Sequence, residues 1–400
     1  MLVVVLALML RELWTFDAGA HVWATPSASS GHVYVGTATG DLYALDERTG
    51  LRIWEATLGA NPNTFYGYSR GIVGGIATQY DVVYAASGSC VAAGFDANDG
   101  REIWRTHICS VARNDDVYAA PVVVDGLVLI GIDMIGDQPT DRGREIALDA
   151  TSGKIHWTLF PQRYSGTGTG ISTRPAVDAA DDLAFIGTGN PTPMNNPPTG
   201  SDPGSDSIIA FEPATGRERW SFGPVHPHDT QDLDLFASPN LFTVHGRDAV
   251  GDIDKDGTYY TVDALSGRLI WQTRIPFPGY VAAVGTPAQG DGMLFVPLYG
   301  PIGITPLHAA GSLVALDQSS GQQRWRYRGG GMYEAPVYSG GVVYVTETDG
   351  WLVGLDARSG KLLARLHVGG ELIGHGAAVD GDILLVVHDT KVTAYRTSCC

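Results

Sequence analysis

The chain has 400 residues, of which 52 are glycine and only 17% are charged. Glycine at nearly twice its usual ~7%, beside plentiful aromatic and β-branched residues, excludes disorder, collagen and coiled coil and describes a chain that turns often around a large core. A formal net charge of −17 without any Lys/Arg run would repel a phosphate backbone or an anionic membrane surface, which argues against nucleic acid as a partner.

In chain order, the first element is an apolar run, Met1 to Leu10 (MLVVVLALML). It is too short to span a bilayer and looks like the core of a secretory signal, without the basic start or small-residue cleavage site of one. A late gene start or a chain boundary explains it equally well. Nothing else approaches 18 apolar residues, so no membrane span is expected. The reading therefore sets apart residues 1–12, one domain over 13–396, and a short tail, 397–400.

Trp14 opens the folded part, and a phrase then recurs: a short apolar strand, Asp, a few polar residues, Gly, three residues, Trp. It appears as LYALDERTGLRIW (ending at Trp54), AAGFDANDGREIW (Trp104), IALDATSGKIHW (Trp157), IIAFEPATGRERW (Trp220), YTVDALSGRLIW (Trp271) and LVALDQSSGQQRW (Trp325). A seventh copy, LVGLDARSGKLLA, puts Ala364 in place of Trp, and the spacings between copies run from 39 to 63 residues. In each, Asp can hydrogen-bond the turn backbone and Gly supplies positive φ. With a further strand pair upstream of most copies, this makes four strands per repeat, the signature of propeller blades. ELWTF at the start and GAAVDGDILLVVHDTKVTAYR at the end combine into an eighth blade closed by both termini. The expected fold is all-β, an eight-bladed propeller.

The phrase A-x-D-x-x-T-G-x-x-x-W in eight blades resembles the tryptophan-docking repeat of quinoprotein alcohol dehydrogenases, which carry pyrroloquinoline quinone (PQQ) on the propeller axis. The resemblance covers nearly all of residues 13 to 396. GTGNP (187–191) is similar to the segment whose Asn ligates the metal, here Asn190, although Asn-Pro after two glycines is also an ordinary turn. HDTQD (228–232) is similar to the segment ending in the catalytic base, here Asp232. Asp234 follows two residues on, and in a strand it would share a face with Asp232, so both carboxylates could meet one cation. A solvated acidic loop of Asp229, Asp232 and Asp234 is the plainer alternative. Lys255, in a stretch that resembles the polyvinyl-alcohol-dehydrogenase branch, falls where the family places a cation against the quinone carbonyls. Asp252 to Asp256 mimics the start of an EF-hand loop, but the following residues must form a strand, so that reading is rejected. Arg70, in YSRGIVGG, matches the arginine that grips a quinone carboxylate.

The departures are as specific. Thr64 and Phe65 stand where methanol-type members have two adjacent cysteines. Ser172 stands where a tryptophan would stack on the quinone. The third-blade metal-binding Glu is replaced by the choice of Asp133, Gly136 and Asp137, with Asp137 taken as the ligand. Cys90 and Cys109 lie symmetrically about the hairpin that carries Phe95 and Trp104; if those two face each other, a disulfide is plausible, as in an oxidising compartment. Cys399 and Cys400 have no evident partner, and His226, His228, His308 and His375 show no zinc-like spacing. The absence of Cys-x-x-Cys-His argues against a covalent haem site.

What the resemblance implies is a periplasmic or secreted enzyme that oxidises a small alcohol or polyol with PQQ and Ca2+ or a lanthanide, with Asp232 as base. Its electrons would pass to a separate acceptor such as a cytochrome c. The other reading is a non-catalytic propeller of the outer-membrane-assembly type, or a descendant of the enzymes that no longer holds the quinone.

Overall fold

The computed structural model of the chain describes residues 10–65, 67–134, 142–161, 169–190, 204–223, 225, 232–277, 283–300, 310–369 and 376–397. These residues form eight antiparallel sheets of four strands in simple up-and-down order, one of them with a short fifth strand, and a separate two-stranded ribbon over residues 61–70. Blade 1 runs from Ser27 to Thr57, blade 2 from Ile76 to His107, blade 3 from Val122 to Leu159 and blade 4 from Ala176 to Phe222. Blade 5 spans Asn240 to Arg274, blade 6 Ala288 to Gly330 and blade 7 Val337 to His367. Blade 8 takes three strands between Ala377 and Thr397, and its outermost strand is Leu10–Asp17 from the other end of the chain. The expected eight blades and their closure by both termini are therefore observed. The closing strand starts at Leu10, three residues earlier than the sequence suggested, because Leu10 pairs with Thr397.

Alternation along each strand sends side chains to both neighbouring blades, and the core accordingly divides into interfaces between successive blades. Tyr34 and Phe95 share a cluster between blades 1 and 2, and Val250 and Phe185 share one between blades 5 and 4. The ring closes through Val387 and Val392 of blade 8, which pack with Val33 and Leu45 of blade 1.

The recurring Asp, Gly and Trp now have separate jobs. Asp149, for example, accepts hydrogen bonds at one carboxylate oxygen from the Ser152 amide (2.8 Å) and the Thr151 and Ser152 hydroxyls (2.7 Å each), which shapes the turn and holds its pKa down at about 2. Each Trp reaches across to the next blade, where its indole Nε1 donates to a turn carbonyl: Trp54 to Ala97 (2.8 Å), Trp104 to Ala150 (2.9 Å), Trp325 to Ala357 (2.8 Å). The indole lies on that blade's repeat glycine. A Cβ on Gly100 (φ +72°) would stand 2.7 Å from the Trp54 ring, and one on Gly153 (φ +69°) 2.4 Å from the Trp104 ring. Within its own sheet each Trp faces a small residue, Ala44 for Trp54 and Gly94 for Trp104. Ala364 has a reason too. In blade 8, which it faces, the third and fourth strands are Lys391–Thr397 and Leu10–Asp17 from opposite ends of the chain, so no Asp-x-x-x-Gly turn joins them to receive an indole.

Cys90 and Cys109 form a disulfide (S–S 2.01 Å, Cα–Cα 4.9 Å). The register that suggested it is off by one, since Trp104 opposes Gly94 and a bulge then sets Phe95 opposite Glu102. The cysteines still meet because both lie just beyond the paired strands, where Ile108 N donates to Cys90 O.

The Gly100→Ala variant is expected to lose about 2–4 kcal/mol of stability in urea unfolding, from forced αL backbone plus overpacking. Combining it with Trp54→Ala, which vacates the contested space, should cost clearly less than the two separate losses added together.

Candidate functional site

Up-and-down blades put two kinds of link on one face of the ring: those leading into each innermost strand and those joining second to third strands. Arg70, Ser172, Asp232 and Asp234 come from the first kind, and Asp133, Asn190 and Lys255 from the second. Four of the expected residues meet directly. Asn190 Nδ2 donates to Asp232 Oδ1 (2.7 Å), and Lys255 Nζ lies 2.6 Å from that same oxygen and 2.6 Å from Asp234 Oδ1. Asp232 and Asp234 do this outside any strand, with Asp232 in left-handed backbone at φ +61°. They converge on one ammonium rather than sharing a strand face. Lys255 is buried, and its Nζ stands 5.2 Å from the centroid of the Phe236 ring. Burial disfavours its charge, but Asp234 and Asp232 outweigh that and raise its pKa. Asn190 is 2% exposed, and its Oδ1 has no hydrogen-bond partner among the described residues.

Ser172 is not a platform for a ring. Its hydroxyl hydrogen-bonds Asp133, which also accepts from the Met134 amide (2.7 Å). Burial, reinforced by the nearby Asp234, raises the Asp133 pKa to about 6 against the pull of Ser172, Met134 and Lys255. Asp133 thus occupies the third-blade acidic position beside the centre. Asp137, taken from the sequence as that ligand, lies outside the described residues, as do Gly136, Asp229, His226, His228, His308 and His375.

Arg70 is buried at the same end of the ring, with its guanidinium engaged by protein. Its Nε pairs with Asp116 (2.5 Å) and its Nη1 donates to Tyr118 Oη (3.2 Å), while Nη2 has no hydrogen-bond partner among the described residues. Desolvation lifts the Asp116 pKa to about 7 although Arg70 opposes it. The Tyr118 and Phe236 rings meet edge to face at 6.3 Å, which links the Arg70 group to the Lys255 group. Asp116, Tyr118 and Phe236 were missed in the sequence. The signal for the first two was there, a fully buried Asp-Asp pair (115–116) just ahead of the Tyr that enters blade 3. Arg70, Ser172, Tyr118 and Phe236 line one cavity of about 760 Å3.

Asp116 and Asp133 make stability depend on pH with a definite sign. Both carboxyls have raised pKa values when folded, so their contribution is complete below the unfolded value near 4 and is lost as pH rises through about 6 and about 7. Thermal melts should therefore show Tm rising on acidification from pH 8 to pH 5. Asp133→Asn should flatten that rise, by about 2 kcal/mol across the range.

The chain is similar to known proteins in family and in fold. The family profile described as "Glucose/ethanol/alcohol dehydrogenase, beta-propeller domain" matches residues 9–277. The profile for "Outer membrane protein assembly factor BamB" matches residues 204–368 and 255–398. Among relatives, the chain is 25% identical to lupanine 17-hydroxylase [cytochrome c] of Pseudomonas sp over 93% of its own length and 67% of that protein. It is 24% identical to a lanthanide-dependent methanol dehydrogenase of Methylacidiphilum fumariolicum, covering 70% of this chain and 62% of that one. A polyvinylalcohol dehydrogenase of Pseudomonas sp is 23% identical over 66% of this chain and 47% of its own length. The chain thus spans between about half and two thirds of these relatives. The crystal structure of the quinohemoprotein alcohol dehydrogenase from Comamonas testosteroni has the same fold, with a TM-score of 0.80 at 18% identity over 97% of this chain and 76% of that one. With the profile match extending across more than half its length, the chain belongs to the glucose/ethanol/alcohol dehydrogenase β-propeller family.

Proposed function

We propose that the chain is a PQQ- and metal-dependent alcohol dehydrogenase acting outside the cytoplasm, and that Asp232 is its base. The observation that carries the reading is the meeting, from loops of two blades, of Asn190 with Asp232 (2.7 Å) and of Asp232 and Asp234 with Lys255 Nζ (2.6 Å each). The donors suit a hard cation: carboxylates, and an Asn190 carbonyl oxygen that is buried with no hydrogen-bond partner among the described residues. Asn190 and Asp234 would hold Ca2+ or a lanthanide, with Asp133, whose charge feels those of Asp234 and Lys255, as a further candidate ligand. For the quinone, Arg70 Nη2 and Lys255 are the matching cations, and a cavity of about 760 Å3 lies beside them.

PQQ, when bound, supplies the two-electron acceptor at its reactive carbonyls. This chain's residues would do the rest. Asp232, strained into φ +61° and held by Asn190 and Lys255, presents a carboxylate that takes the hydroxyl proton of the alcohol. Lys255 would place positive charge where an oxyanion develops. Substrates of small alcohol or polyol type, with a separate acceptor such as a cytochrome c, fit this scheme. The relatives' names include one with cytochrome c and one acting on polyvinyl alcohol. The disulfide favours an oxidising compartment such as the periplasm. No helix among the described residues is long and apolar enough to cross a membrane. The assembly-scaffold reading has one observation in its favour, the second profile match over residues 204–398.

Dye-linked turnover with PQQ, Ca2+ or La3+ and a panel of alcohols separates the two. Asp232→Asn keeps shape and is expected to lower turnover by ~10²–10⁴-fold with quinone affinity little changed. Asn190→Ala is expected to weaken metal retention first, read by metal content after gel filtration. Wild-type protein without PQQ-dependent dye reduction under any of these conditions would sink the dehydrogenase reading.

A further inference from the structure

The cavity has a pattern that the Asp232 centre does not use. In most blades a proline precedes the innermost strand, and the residues one and three places before it line the cavity. Three places before stand Trp23, Tyr118, Phe236 and Tyr333, all aromatic, and the apolar Val284, whereas blade 4 has Ser172. One place before stand Thr25, Ala120, Ser238, Thr286 and Ala335, all small, whereas blade 4 has Arg174. Blade 4 inverts the rule in both layers. It opens the bulky layer next to the Asp232 centre and puts a long cation into the small-residue layer beyond it, about 6–7 Å further along the chain.

Arg174 has no reason to be there for the fold's sake. Its backbone amide is held by Ser238 Oγ (2.8 Å), but its guanidinium makes no hydrogen bond or ion pair among the described residues. The side chain is open to solvent, yet enough protein surrounds it that burial pulls its pKa down. That combination describes a cation facing an enclosed, wet space. Of the other charged residues lining the space, Arg70 is committed to Asp116, and Glu334 stands one residue out of step with both layers. Hydroxyls of Thr25, Ser238 and Thr286 share the layer with Arg174, and the rings of Trp23, Tyr118, Phe236 and Tyr333 line the same cavity.

We propose that this inner layer is an anion subsite, in which Arg174 binds the carboxylate of a planar aromatic ligand entering past Ser172. A guanidinium offers a carboxylate two parallel donors, the rings of the bulky layer flank the planar body, and the small residues leave room for it. In a protein of net charge −17, such a ligand is held by local design and not by the overall field. The subsite does not depend on the dehydrogenase reading. The carboxylate could belong to the quinone itself or to an independent small molecule.

The test is calorimetric titration of the full chain with benzoate, phthalate and, as neutral isostere, benzamide. Phthalate and benzoate should bind, benzamide should bind at least 10-fold more weakly, and Arg174→Ala should weaken the carboxylates by about 10–100-fold. Thr286→Phe, which keeps Arg174 but fills the layer, should also abolish binding. Circular dichroism checks that both variants fold. Displacement of phthalate by saturating PQQ would make the quinone the source of the carboxylate, and undisturbed binding beside PQQ would make it a separate anion. The proposal is overturned if neither carboxylate binds, if benzamide binds as well as benzoate, or if Arg174→Ala changes nothing. Absence of dye reduction would leave it standing, and its own failure would leave the Asp232 reading untouched.

Discussion

Everything in this molecule depends on an indole laid flat on a glycine of the next blade. The contact needs four things together: a small residue opposite the Trp in its own sheet, a positive-φ glycine in the neighbour, a turn carbonyl for Nε1, and an Asp to hold that turn. Trp14 meets Gly50 of blade 1 in this way, with Nε1 donating to Glu47 O (2.8 Å), so the same device closes the ring between its two ends. The one interface without a Trp is the one whose partner blade, built from both ends of the chain, has no turn between its third and fourth strands. There Leu352 and Tyr344 of blade 7 pack with Leu384, Val386 and Tyr395 of blade 8.

Because these contacts lie on the outer strands and the far-face turns, they leave the opposite face free to vary. Its links carry little of the ring's stability and can hold groups that a core would not tolerate. The result is a concentration of opposed charge: Asp232, Asp234 and Asp133 near Lys255, and Asp116 against Arg70. Burial pushes Asp116 and Asp133 up while their cations pull them back, so the site is poised by competing terms and not by one pair. Such strain is what a binding site for charged groups costs before its ligand arrives.

The ring was legible because its rule repeats: the Gly of the phrase recurs in all seven copies, and its Asp and Trp each in all but one. The meeting of Asn190, Asp232 and Lys255 was legible only through the resemblance, since nothing in their spacing brings loops of two blades together. Three things were not legible, for three reasons. That Leu127–Met134 runs on far enough to carry Asp133 beside Ser172 depends on where a strand ends, while Asp137 lies outside the described residues. The hairpin register around Trp104 shifted at a bulge that alternation alone does not reveal. Ser172 looked like the loss of a platform. With Asp133 as its partner and Arg174 two residues on, it becomes one part of a blade built to a different rule.

The most direct test of the account is diffraction from crystals grown with PQQ and La3+, using the anomalous signal of the metal. The account predicts a peak about 2.3–2.6 Å from Asn190 Oδ1 and an oxygen of Asp234, with Lys255 Nζ moved off the carboxylates toward the quinone. A peak only at the cluster of buried Asp178 and exposed Asp181 and Asp248 on the other face, or none at all, would contradict it.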